Sequence, residues 1–73
     1  MPRDPARAQA LYERAAAQNF APAMLNLADI LRGSDRDRAA ALYRRLVCMR
    51  DERQIAPLAG RRLRAMGLSA SCP

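Results

Sequence analysis

The chain has 73 residues and a mass of 8.1 kDa, with 51% hydrophobic and 27% charged residues and a formal net charge of +6. That is one small domain. At this size apolar burial and the cost of ordering the chain nearly cancel, which excludes an independent enzyme with a deep pocket and favours help from a partner or neighbouring repeats.

All thirteen basic residues are Arg; Lys and His are absent. Such a balance attracts acidic surfaces, although Ala and Arg without Lys is also what a GC-rich coding sequence produces, and that explanation comes first. Without His, a nucleophile at Cys48 or Cys72 lacks its usual base. The same two cysteines have no CxxC or Cys/His spacing for zinc, so they are expected as a part-buried helical thiol and a tail thiol in a reducing compartment. Gly33, Gly60 and Gly67 are isolated, so there is no phosphate-cradling loop. No catalytic site, cofactor or metal is expected. The opening residues lack the apolar run of a signal peptide, and no stretch reaches the length of a membrane span. A cytoplasmic product is the expectation.

Pro and Gly punctuate the chain. Asp4-Pro5 starts a first helix, with Asp as cap and Pro at the first helical position. Ala8, Leu11, Tyr12 and Ala15 then fall on one face. Asn19 is a left-handed stop. Pro22 opens a second helix with a stripe of Met24, Leu27, Ala28 and Leu31, widened by Ile30 and ended by Gly33. The short connection makes the two an antiparallel hairpin. Ser34 and Asp37, three residues apart, read as a capping-box-like start for a third helix. That helix carries Ala39, Leu42, Tyr43, Leu46 and Val47 and frays within the charged stretch Arg50–Gln54. Pro57 marks a fourth helix with Leu58, Ala59, Leu63 and Met66, followed by Gly67. The tail 68–73 reads as disordered. No strand pattern occurs, so the class is all-α.

The first and third helices are near copies. Asp4, Arg7, Ala8, Ala10, Leu11, Tyr12 and Arg14 recur as Asp35, Arg38, Ala39, Ala41, Leu42, Tyr43 and Arg45, at a constant offset of 31. Ala21-Pro22 recurs as Ala56-Pro57 and Leu31 as Met66, at an offset of 35. A period in the low thirties with two helices per unit is the signature of a helical solenoid. The expected units are 4–33 and a divergent 34–67, stacked as two hairpins. Small residues let the helices approach while Leu11, Tyr12, Leu27, Leu31, Leu42 and Tyr43 fill the seams.

The run from Ala10 through Tyr12, Ala15-Ala16 and Ala23 to Asn26-Leu27-Ala28 resembles a Sel1-like repeat, a cousin of the tetratricopeptide repeat. Asn19 stands where that family usually has Gly, and Ala28 replaces the Gly of its Asn-Leu-Gly. The resemblance covers 4–47 well and 48–66 poorly. It implies a non-enzymatic adaptor or scaffold that holds a protein or peptide, here with acidic character. Gln9 and Glu13 on the first helix, and Ala40 and Arg44 on the third, lie opposite the packing face and are the expected partner contacts. Two hairpins are fewer than a stable stack usually needs, so further repeats or self-association are expected. The rival reading is nucleic-acid binding through Arg44-Arg45 and Arg61-Arg62-Arg64. It lacks any recognised motif and has only three aromatics beside it. A membrane-surface role for the fourth helix lacks Trp or Phe anchors.

Overall fold

Caps and breakers set four helices in the computed structural model, which describes residues 5–72. They are α1 (Pro5–Ala17), α2 (Ala21–Leu31), α3 (Arg36–Val47) and α4 (Ile55–Ala65). No strand occurs among the described residues, so the chain is all-α. The proposed cap Asp4 lies outside the described residues.

Asn19 ends α1 as expected. Its φ of 61° is the left-handed conformation, and Phe20 N–H reaches Ala15 O at 3.2 Å while Asn19 N–H reaches Ala16 O at 2.9 Å. These paired bonds satisfy carbonyls the helix end would otherwise leave bare. Gly67 (φ 79°) does the same after α4. There Leu68 N–H meets Leu63 O and Gly67 N–H meets Arg64 O, both at 2.9 Å. At the start of α3 the cap is Asp35, whose carboxylate accepts the Arg38 N–H at 3.2 Å. Ser34 does not fill that role, because the chain turns one residue later than the Ser34–Asp37 spacing suggested.

The helices pack in chain order. α1 lies against α2, and α3 lies between α2 and α4, which also touch each other. Met24, Leu27, Tyr43, Leu46 and Leu63 are the largest fully buried side chains. Fully burying one such Leu contributes on the order of 2 kcal/mol. Ala21, Ala28, Ala39, Ala40 and Ala59 are buried among them and let the helix axes come close. Leu27, Leu31, Leu42 and Tyr43 are therefore core residues, and Tyr12 is half-buried against that core.

Two expectations need correction. Leu11, placed in the seam, is 58% exposed. α1 turns Ala16 inward instead, because only α2 covers it and one neighbouring helix cannot bury both sides of its apolar stripe. The tail is not loose: Leu68 and Ala70 pack against the core, and Cys72 is joined to Cys48 by a disulfide with Cα atoms 5.2 Å apart. The two separate thiols expected from spacing alone are one crosslink. Sequence separation concealed this, since the turn at Gly67 brings the tail back over α4 to the end of α3.

The crosslink spans 24 residues, for which loop-closure entropy gives about 3 kcal/mol of stabilisation. Replacing Cys72 by Ser is expected to cost about 2–4 kcal/mol in urea unfolding and to expose the Gly60 side of α4 to hydrogen exchange. An unchanged midpoint would mean that the tail is held by Leu68 and Ala70 alone.

Candidate functional site

Side chains that cross between helices fix the placement of α3 beside α1. Arg38 of α3 forms an ion pair with Glu13 of α1 at 2.5 Å. About two turns further on, Arg45 donates to the Asn19 side-chain carbonyl. Because Glu13–Arg38 and Asn19–Arg45 follow in the same order along both segments, α1 and α3 run in the same direction. Between them lies a cavity of 250 Å³ lined by Ala16, Ala17, Leu27 and Leu42 and flanked by Glu13 and Arg38. Both ends of the ion pair are substantially exposed, so it sets register more than stability.

A second polar link ties α2, α3 and α4. The Tyr43 hydroxyl donates to Asp29 Oδ1. Arg62 Nε donates to the same oxygen at 3.2 Å. The Tyr43 ring is fully buried, so its hydroxyl needs this acceptor. Burial first, and then the hydrogen bond and negative charge of Asp29, push the Tyr43 phenol well above its ordinary value of 10.0. No buried side-chain polar atom lacks a partner among the described residues.

The expected partner residues do not form one surface. Ala40 is 4% exposed and belongs to the core; it packs inward because α3 is covered from both α2 and α4, which leaves less free face than an isolated helix has. Glu13 faces α3 and is paired with Arg38. Gln9 is half-buried. Of the four, only Arg44 stands exposed. It rims a shallow apolar depression with Arg45, Cys48 and Met49. Beside the disulfide lies a second depression, 370 Å³, where Arg61 and Arg64 border Val47, Pro57, Gly60 and Ala70. The arginines were legible in the sequence. The apolar residues they border were not, since Ala70 joins Val47 and Gly60 there only because the tail folds back.

A wide-open cavity of 630 Å³ lies on α1 and the turn after it. Leu11, Arg14, Ala15, Gln18, Asn19 and Phe20 line it. Leu11 and Phe20 are each 58% exposed. No cluster of His, Cys, Asp and Glu able to hold a metal occurs among the described residues, and no helix there is long and apolar enough to cross a membrane. Searches against family models, curated proteins and solved structures find no match for this chain.

Tyr43 makes a pH prediction. A folded-state phenol raised above its unfolded value keeps its proton longer in the fold, so the stabilisation is complete below about pH 10 and is lost as pH rises through the higher folded value. Urea unfolding from about pH 8 to about pH 11 should show this decline, and Tyr43→Phe should flatten it while costing about 1–3 kcal/mol at neutral pH. An equal alkaline decline in the variant would assign it elsewhere.

Proposed function

We propose that the chain is a non-enzymatic protein–protein interaction module of the Sel1-like or tetratricopeptide-like type, an adaptor or scaffold built from two stacked antiparallel hairpins. One observation carries this reading. α3 begins 31 residues after α1, and α4 begins 34 residues after α2. The matched Arg, Leu and Tyr positions thus start from the same register in both units. The shared direction of α1 and α3 and the burial of α3 between α2 and α4 fit hairpins laid side by side.

The partner proposed is an acidic protein or peptide. Arg44, Arg61 and Arg64 are exposed around two partly apolar depressions. A partner segment pairing carboxylates with small apolar groups matches that lining. The cytoplasmic expectation sits against the crosslink, since such bonds persist mainly in oxidising compartments. The module is proposed to work with Cys48 and Cys72 joined.

The same arginines favour nucleic acid as a second reading. Against it, none of Tyr12, Phe20 and Tyr43 lines either arginine-rimmed depression, so bases would find no stacking platform there.

Capture on the tagged, oxidised chain from extract of its own cells, with and without nuclease, separates the two. The adaptor reading expects an enriched protein that survives nuclease and falls about tenfold or more when Arg44 and Arg61 are both changed to Glu. Both positions are exposed, so the fold should tolerate the change within about 0.5 kcal/mol each. Recovery of RNA alone, or loss of every partner on nuclease treatment, would favour nucleic acid.

A further inference from the structure

The two ends of the module differ, and the difference is written in charge. α3 seats on the first unit through three residues of one face: Arg38 reaches Glu13, Leu42 is buried at 7% exposure, and Arg45 reaches Asn19. Thirty-one residues earlier, α1 carries Arg7, Leu11 and Arg14 at the same helical spacing, so they too share one face. Leu11 and Arg14 line the open cavity on α1. Of these, Leu11 and Arg14 are exposed in that cavity, with Phe20 and Gln18 at its rim.

The opposite end cannot receive such a face. The counterparts of Glu13 and Asn19 in the second unit are Arg44 and Arg50, so two acceptors have become two cations. The seat itself is taken. Ala70 lies where a Cβ on Gly60 would come within 3.6 Å of its methyl, with Val47 alongside, and the disulfide holds the tail there. A second copy stacking head to tail would bring Arg14 towards Arg44 and Arg50 over an occupied surface, a like-charge contact that disfavours association.

We propose that the face of α1 formed by Leu11, Arg14 and Phe20 docks another helical hairpin whose surface resembles that of residues 5–33, with a side-chain amide beside a seat of small apolar residues, and that this occupant is not a second copy of the chain. The proposal rests on the repeat reading above and adds a direction to it: the array extends from α1 and is closed beyond α4. Arg14 pairs with the partner's amide as Arg45 pairs with Asn19. Leu11 faces the partner's small-residue seat as Leu42 faces Ala16 and Ala17 across the cavity between α1 and α3.

The test is a tandem chain in which residues 1–35 are followed directly by residues 5–73, so that Asp35 takes the capping place of Asp4 ahead of the second Pro5. The proposal expects the inner α1 to gain at least about tenfold in amide exchange protection over the α1 of the original chain. Leu11→Arg in the inner copy should abolish that gain, and Arg14→Ala in the inner copy should reduce it severalfold. If the added segment is helical but the inner α1 exchanges as before, the docking face is wrong while the repeat reading survives. If the added segment stays unfolded, residues 5–35 are not a repeating unit and both readings fail. Sedimentation of the original chain as a dimer that Leu11→Arg disperses would show a second copy on this face, and would overturn the proposed occupant.

Discussion

The fold depends on α3 having a helix on each side. Tyr43 sits at its middle, fully buried, with its hydroxyl on Asp29 of α2 and Arg62 of α4 sharing the same carboxylate oxygen. A buried ring contributes packing on both faces, and its single polar atom fixes which neighbours are allowed. Met24, Leu27, Leu46 and Leu63 then close the remaining space. Remove the helix on one side, and a matching residue loses half of its cover. Tyr12, the counterpart of Tyr43, is only half-buried, because α1 has α2 alone to lean on.

That asymmetry explains how near-identical segments come to have different surfaces. Leu42 is core and Leu11 is surface, although both occupy the same register. Arg38 and Arg45 are bound to acceptors across the junction, while Arg14 points into an open cavity. At the other end the disulfide and the Gly67 turn fold the tail across α4, giving that helix a cover that α1 lacks. α1 thus keeps an open side, while the far side of α4 is covered by the tail.

Much of the helix content was legible in residue pattern. Asn19, Pro22, Gly33 and Gly67 mark boundaries close to those observed, because each acts through local backbone sterics that need no tertiary partner. The α2 stripe of Met24, Leu27, Ala28 and Leu31 is buried throughout, as spacing predicts for a helix covered along its apolar face. What failed were inferences about which side of a helix meets what. Leu11 and Ala40 exchange their expected places, since periodicity defines a face but not how many neighbours it has. The tail and its disulfide escaped for a related reason: no local signal in Cys48 or Cys72 encodes a contact made after two turns of chain. The depression bordered by Arg61 and Arg64 shares a little of that blindness, as Ala70 of the tail completes its lining.

The most direct test of this architecture is native-state hydrogen exchange on the intact, oxidised chain at increasing urea. If α3 is the shared wall, its amides around Tyr43 exchange only by global unfolding, together with the inner faces of α2 and α4. α1 then opens in a separate step at lower free energy. Equal protection of α1 and α3, or release of α3 ahead of α1, would contradict the account.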